Sequence, residues 1–242
     1  MREHDEVRER RRQATHPGRP LEPELIATKP NEIWSWDITK LHGPEKRTYY
    51  YLYVILDSYS HYVTGWTTAR AERAELSKGL MDESIASQGV PSGQLTLHSD
   101  RGSRVIAKGV AHLLADSGVT KSHSRPHVSN DNPYSESQFR TLKYRPEFPD
   151  RCGSFEDAQA HCRRFMSWYN EHHRHSGIGY HTPADVHYGR AEKVRERRET
   201  VPLDAYAEYP ERFVHKVPTP PAFPTVAWIN QPEQEITDSV NN

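Results

Sequence analysis

The chain has 242 residues, of which 34% are hydrophobic and 27% are charged, and its formal net charge at pH 7 is −1. This length allows one sizeable domain with extensions, or two small domains. No apolar run approaches the roughly 18 residues of a membrane span, the charged N-terminus excludes a secretory signal, and the small net charge gives no support to nucleic-acid binding by global charge alone.

The first part of the chain predicts a tail followed by an antiparallel meander. Residues 1–27 are rich in arginine, glutamate and proline and lack apolar periodicity, so they are predicted to form an arginine-rich linker or tail. Residues 33–39 alternate, which places two tryptophans and an isoleucine on one face of a strand and Asp37 on the other. The apolar run 49–56 and the segment 62–66 complete a three-stranded meander.

Helices and short strands alternate in the next part of the chain. Gly89 and Pro91 close one predicted helix, and Pro133 is a favoured first-turn residue for a later one. The predicted elements are a helix over 72–88, a strand over 94–98, a helix over 105–116, a strand over 119–122, a helix from 133 and a helix over 154–172. Three strands followed by this alternation predict an α/β fold, with a mixed sheet flanked by helices.

The predicted domain organisation has three parts. Residues 28–190 form the core, which the tail over 1–27 precedes. Residues 191–242 hold an Arg/Glu-rich helix and a proline-rich tail, of which 217–224 is expected to pack as an extended strap or to stay loose. The two cysteines are expected to stay reduced in a cytosol.

Three carboxylates occupy positions that a local element would fix. Asp37 lies within a predicted strand, Asp100 ends another strand, and Glu136 falls in the first turns of a helix, with 35 residues between the second and third acid. Each acid alone has an ordinary explanation as an edge-strand residue, a turn residue or a complement to the helix dipole. Together they suit hard divalent cations, because clustered carboxylates repel one another unless cations are bound.

Such a cluster predicts chemistry on phosphodiesters. Two Mg²⁺ or Mn²⁺ ions held by Asp37, Asp100 and Glu136 could clamp the attacking and leaving oxygens of a phosphodiester exchange. The hypothesis is metal-dependent cutting and joining of DNA strands, with no covalent enzyme intermediate. Asp57 is a rival carboxylate at the end of the second strand, but the sequence Asp-Ser-Tyr-Ser that it begins suits a hairpin turn.

The helix that carries Glu136 presents two cations on the same face. Arg140 and Lys143 follow the glutamate at i+4 and i+7. One interpretation is an intrahelical Glu–Arg ion pair on a solvated face, and the other is a grip on DNA phosphates beside the metals. Weaker candidates for contact with DNA are His98, Ser103 and Asn132.

Four motifs carry a family resemblance. They are Trp-Ser-Trp-Asp-Ile-Thr at 34–39, His-Ser-Asp-Arg-Gly-Ser at 98–103, the segment 129–144 with Asn-Pro-Tyr-Ser-Glu-Ser, and the segment 168–186 that begins Trp-Tyr-Asn-Glu-His-His-Arg-His. They resemble the integrase-like DDE transposases of the insertion-sequence-three family. The tail over 211–230 is similar to the C-terminal end of these proteins.

The resemblance implies a ribonuclease-H-like fold shared with retroviral integrases: a mixed five-stranded sheet flanked by helices, with extended N- and C-terminal segments. It carries the catalytic, metal-binding acids onto Asp37, Asp100 and Glu136, and a DNA-contacting basic residue onto Lys143. The implied activity is a polynucleotidyl transferase that nicks element ends and joins the 3′-hydroxyl to target DNA. The implied partners are the DNA of the element ends, the target DNA and further copies of this chain, and no membrane is involved. The implied location is the cytoplasm of a bacterium, in association with the nucleoid.

The chain departs from these transposases at its N-terminus. They usually carry helix-turn-helix segments upstream, and no such helix pair is visible within residues 1–27. Recognition of terminal repeats is therefore expected to need a separate helix-turn-helix protein from an overlapping frame, or else the chain is a truncated copy. Two alternatives stay open: a nuclease of the same fold that only hydrolyses, and an inactive fragment that acts only in DNA binding or dimerisation.

Several histidines and a cysteine near the end of the core could suggest a zinc site. The zinc module of integrases pairs histidines with a Cys-x-x-Cys motif, and that motif is absent from the sequence. No zinc is therefore predicted at these residues, which are His161, Cys162, His172, His173 and His175.

Overall fold

The computed structural model describes residues 24–100, 108–125, 132–213, 217 and 219–232. Within them the strands form one five-stranded sheet and one two-stranded sheet. The strands are β1 (Leu25–Ala27), β2 (Ile33–His42), β3 (Tyr49–Asp57), β4 (Val63–Ala69), β5 (Thr96–Ser99), β6 (Thr120–His123) and β7 (Ala227–Ile229).

The central sheet has the spatial order β4-β3-β2-β5-β6. β2 pairs antiparallel with β3, and β3 pairs antiparallel with β4. β5 pairs parallel with both β2 and β6. The sheet is therefore mixed, and the prediction of a mixed five-stranded sheet is confirmed.

Helices follow the strands in the order that the sequence predicts. Predicted boundaries that fall on described residues agree with the observed ones to within about three residues. The start predicted at residue 105 lies outside the described residues. The helices are α1 (Ala74–Gln88), α2 (Lys108–Asp116), α3 (Pro133–Lys143), α4 (Phe155–Glu171), α5 (Pro183–His187) and α6 (Ala191–Glu208), with 3₁₀ turns at Ser176–Ile178 and Pro210–Arg212.

One face of the sheet is covered by α1 and α2. The alternation in β2 directs Trp34 and Trp36 into this layer, where both are fully buried against Leu80 and Met81 of α1. Trp36 also meets Tyr53 of β3 edge-on, with 5.9 Å between ring centroids. Each large buried side chain contributes about 2–3 kcal/mol of transfer free energy, so this layer fixes which way β2 faces.

The opposite face is covered by α3 and α4. Phe139 and Leu142 of α3 and Phe165 of α4 pack in one apolar cluster with the side chains of β2, β3 and β4 on that face. α4 begins at the predicted cap, since the Ser154 hydroxyl accepts a 3.0 Å hydrogen bond from the Asp157 N–H. The side chains of Ser35, Asp37 and Thr39 therefore point toward the α3 layer.

The two ends of the described chain are joined by a short sheet that the sequence did not predict. β1 and β7 pair antiparallel, with Ile26 opposite Trp228. The Tyr134 hydroxyl, at the start of α3, donates a 2.8 Å hydrogen bond to the Trp228 carbonyl. Phe223, in the predicted strap, packs against Ile178 and its neighbours. Three-residue strands carry too little pattern to be recognised, and the domain boundaries stay a prediction.

Two further observations bear on the chemistry of the molecule. Cys152 and Cys162 are buried free thiols. Burial raises the pKa of Cys162 to about 12, so this thiol stays protonated at neutral pH. None of the helices that the structure describes has the length and apolar character needed to cross a membrane.

Asp57 forms the turn that the sequence predicts between β3 and β4. The side chain is fully buried. Its carboxylate accepts hydrogen bonds of 2.7 Å from the Ser60 N–H, the Ser60 hydroxyl and the Asn31 N–H. Burial raises the pKa of Asp57 to about 6, and the N–H donors of Asn31 and Ser60 oppose this rise. These contacts give Asp57 a structural role.

We predict that Asp57→Ala lowers the free energy of unfolding by about 3 kcal/mol, because buried N–H and hydroxyl donors would lose their acceptor. Urea unfolding followed by tryptophan fluorescence measures this change. Asp82→Ala, at an exposed position of α1, is the matched control and should change stability by less than about 0.5 kcal/mol. Equal stability of the two variants would contradict the structural role.

Candidate active site

The register between β2 and β5 brings two of the three acids together. Trp36 is the parallel partner of Ser99. Asp37 follows Trp36 in β2, and Asp100 follows Ser99 just after β5. The backbones of Asp37 and Asp100 therefore lie about 5 Å apart. Both side chains project on the same face of the sheet, because successive residues alternate. Asp37 and Asp100 are therefore neighbours.

Helix α3 brings the third acid by running alongside β2 in the same direction. At its start, the Ser35 hydroxyl hydrogen-bonds to the Asn132 side-chain oxygen and lies 2.6 Å from the Ser135 hydroxyl. At its end, the Lys143 ammonium donates a 2.6 Å hydrogen bond to the Thr39 hydroxyl. Eight helical residues rise about 12 Å and four strand residues about 13 Å, so helix and strand stay in step.

Glu136 follows Ser135 and lies beside Asp37. The charges of Asp100 and Glu136 both raise the pKa of Asp37, although burial is the largest cause, and together these effects place that pKa at about 7. A 2.7 Å hydrogen bond from the Ile38 N–H and the charge of Lys143 oppose the rise. Asp37 is thus a half-buried acid among like charges, and its pKa lies near neutral pH.

The other charges of the site respond to the same neighbours. Burial and the charge of Asp100 raise the pKa of Glu136, while Arg140 lowers it. Burial lowers the pKa of Lys143, and Asp37 raises it. Arg140 is exposed on the same side of α3. The three predicted acids and both predicted cations therefore lie on the α3 face of the sheet, near the middle of β2 and the end of β5.

The carboxylate oxygens of this site are suitable ligands for a divalent cation. Within the residues that the structure describes, no three histidine, cysteine or carboxylate side chains are close enough together to hold a metal ion. Asp37 and Asp100 provide two adjacent carboxylates. Mg²⁺ is usually bound by one or two carboxylates together with waters and substrate phosphates, so the pair fits such an ion, and Glu136 stands beside it.

Burial changes the interpretation of two weaker candidates. His98 and Asn132 are fully buried, and contact of either side chain with DNA stays a prediction. Asn132 instead joins the start of α3 to β2, where its amide also donates to the Trp36 carbonyl at 3.4 Å. Ser103 lies outside the described residues.

Sequence reasoning missed two hydroxyl residues that contact the charged groups. Ser124, just after β6, donates a 2.7 Å hydrogen bond to the Asp100 carboxylate. Thr39 accepts from Lys143. The alternation of β2 places Thr39 on the face of Asp37, which is a usable signal, whereas nothing in the sequence around Ser124 distinguishes it from other serines.

Comparison with known proteins identifies what this chain is similar to. Two family models, both described as integrase core domain, match residues 27–129 and 117–183. Together they cover all five strands of the central sheet and helices α1 to α4. The matches therefore fall on the part of the chain that holds the three acids.

Two curated relatives are insertion-sequence transposases. The transposase for insertion sequence element IS904 of Lactococcus lactis is 29% identical over 163 residues, which is 66% of this chain and 62% of the relative. Transposase InsF for insertion sequence IS3A of Escherichia coli is 28% identical over 164 residues, which is 67% of this chain and 56% of the relative. The chain thus spans less than two thirds of either relative.

A solved structure shares the fold. A chain of the simian T-cell lymphotropic virus intasome, determined in complex with the PP2A regulatory subunit B56 gamma, matches with a TM-score of 0.52 and 19% identity. The match covers 67% of this chain and 56% of that chain. The ribonuclease-H-like fold implied by the sequence resemblance is confirmed.

We predict that Asp37→Asn stabilises the protein at pH 8 by about 4 kcal/mol and leaves stability near pH 4 unchanged. The folded protein binds the Asp37 proton up to about pH 7, whereas the unfolded chain releases it near pH 4. The stability of the wild type therefore falls as pH rises between these values, and the variant escapes this loss.

Urea unfolding at pH 4, 6 and 8 in a metal chelator measures the effect. Asp82→Asn on α1 is the matched control and should show no difference from the wild type at any of the three pH values. A difference between wild type and Asp37→Asn that is the same at all three would contradict the raised pKa.

Proposed function

We propose that this chain, which belongs to the integrase core domain family and is a DDE transposase, cuts the ends of a mobile DNA element and joins them to target DNA. One observation carries the proposal: Asp37 of β2 lies beside Asp100, which directly follows the parallel strand β5, and Glu136 is on the helix packed against them. Three carboxylates beside exposed cations are suited to phosphoryl transfer between DNA strands.

Asp37, Asp100 and Glu136 would hold the divalent cations that the family uses, two Mg²⁺ or Mn²⁺ ions. When bound, such ions activate the attacking water or 3′-hydroxyl and neutralise the leaving oxygen. The raised pKa of Asp37 supports this role, because a nearby cation would favour the ionised carboxylate and remove the cost of its like-charged neighbours.

The other side chains of α3 would bind the DNA. Lys143 is anchored to Thr39 at 2.6 Å, so its ammonium is held beside the acids, where the phosphate next to the reacting one would lie. Arg140 is exposed one turn earlier on the same face. Between them the two residues would orient the DNA end without taking part in bond cleavage.

The remaining sequence expectations stay part of this proposal. The partners would be the element ends, the target DNA and further copies of the chain, since two ends react together. A separate helix-turn-helix protein would supply recognition of the terminal repeats. The proposed location is the bacterial cytoplasm at the nucleoid.

Strand transfer tests the catalytic proposal. We predict that Glu136→Gln and Asp100→Asn each reduce cleavage and joining of a labelled element end by a factor of 10² or more, an effect typical of groups that stabilise charge in the transition state. Glu83→Gln, at an exposed position of α1 on the opposite face of the sheet, should retain wild-type activity.

The outcomes separate the alternatives. Hydrolysis of the labelled end without joining would replace the transposase by a nuclease of the same fold. DNA binding without either reaction in the wild type would favour the inactive fragment. Activity that is equal in the wild type and in Glu136→Gln would refute the assignment of the site.

Salt dependence tests the role of Lys143 separately from catalysis. We predict that Lys143→Gln weakens binding of the element end by about fivefold and reduces the slope of log K against log salt by about 1, because one phosphate contact is lost. Fluorescence anisotropy at four salt concentrations measures both quantities. Lys78→Gln on α1 is the matched control, and an unchanged slope in Lys143→Gln would exclude the phosphate contact.

A further inference from the structure

Asp100 is held by a partner from the neighbouring strand. The Ser124 hydroxyl lies 2.7 Å from one carboxylate oxygen of Asp100. An ionised carboxylate only accepts hydrogen bonds, so the hydroxyl proton of Ser124 is directed at Asp100. Ser124 is itself buried, with 2% of its surface exposed, and its hydroxyl therefore has few competing partners.

The His98 ring forms a hydrogen bond with Ser124. Its Nε2 atom lies 3.2 Å from the Ser124 hydroxyl oxygen, and its Nδ1 atom lies 3.1 Å from the Ser122 hydroxyl oxygen. Since Ser124 has given its only proton to Asp100, its oxygen must accept from His98. In its neutral form, His98 then carries its proton on Nε2, and Nδ1 accepts the proton of Ser122.

Strand geometry explains why these groups meet. β5 and β6 pair in parallel, with His98 opposite Ser122. Residues 98 and 100 share one face of their strand, as do residues 122 and 124 of the next. Each group donates to the next in the order Ser122, His98, Ser124 and Asp100. The His98 side chain in the middle of this series is fully buried.

We propose that Ser122, His98 and Ser124 form a buried relay that positions the Asp100 carboxylate for metal binding. The inference rests on the proposed function and adds three positioning residues to it. Carboxylate ligands of metals are generally oriented by such outer hydrogen bonds, and the loss of one typically weakens metal binding by 10–100-fold. The relay fixes the orientation of Asp100 and transfers no proton.

A matched pair of variants tests the relay. Ser124→Ala removes the donor to Asp100. Ser99→Ala removes a similar serine–histidine contact between the same two strands, at 3.2 Å from His123, but on the opposite face. If the serines merely hold β5 and β6 together, the two variants should behave alike. Ser124→Cys, with nearly the same volume and a weak donor, serves if Ser124→Ala does not fold.

Metal binding is the first measurement. Titration of Mn²⁺ followed by electron paramagnetic resonance should show a dissociation constant about tenfold larger for Ser124→Ala than for the wild type. Ser99→Ala should have the wild-type value. The concentration of Mn²⁺ that gives half-maximal strand transfer should rise by the same factor, while the affinity for DNA stays unchanged. Unchanged Mn²⁺ affinity in Ser124→Ala, or an equal loss in both variants, would overturn the relay.

The protonation of His98 is a measurement that needs neither metal nor DNA. Nitrogen-15 NMR of the whole chain distinguishes the two neutral forms of the ring, and the relay requires the proton on Nε2. A proton on Nδ1 would overturn the relay, whatever activity the protein has. Failure of the wild type to transfer strands, with the Nε2 form present, would count against the proposed function and leave the relay intact.

Discussion

The parallel pairing of β2 with β5 is the interaction on which the candidate site depends. It aligns Trp36 with Ser99 and thereby makes neighbours of Asp37 and Asp100, which are distant in the sequence. A slip of one residue would exchange the two faces of β2 and turn Asp37 toward the apolar layer. Burial of Trp34 and Trp36 opposes that slip, so the apolar core of one face fixes the position of the acids on the other.

Helix α3 extends this arrangement because it is held to β2 at both ends. Ser35 fixes its start and Thr39 its end, and Phe139 and Leu142 provide apolar packing between these points. Glu136 is therefore placed by the helix as a whole. The consequence is electrostatic: carboxylates that would repel one another are held together, and the pKa of Asp37 rises to about 7. This cost is expected at a site that gathers charge for chemistry.

Buried polar residues, and not apolar ones, lie beneath the candidate site. Ser35, His98 and Ser124 are all buried, and each has hydrogen-bond partners. Because an unpaired buried polar group costs about 1–3 kcal/mol, such a set persists only when its members satisfy one another. The same hydrogen bonds that satisfy them also restrict Asp100 and the start of α3, so the stability of this region and the geometry of the site have one origin.

The local pattern of the sequence was sufficient to predict the elements and to select the three candidate acids. Alternation in β2, the Asp-Ser-Tyr-Ser turn and the helix that begins at Pro133 each depend on neighbouring residues, and family motifs marked Asp37, Asp100 and Glu136. The sequence could not reveal the pairing of β1 with β7, the burial of His98 and Asn132, or the contact of Ser124 with Asp100. These features arise between segments that are far apart in the chain, and only the packing of strands and helices decides which polar residue meets which partner.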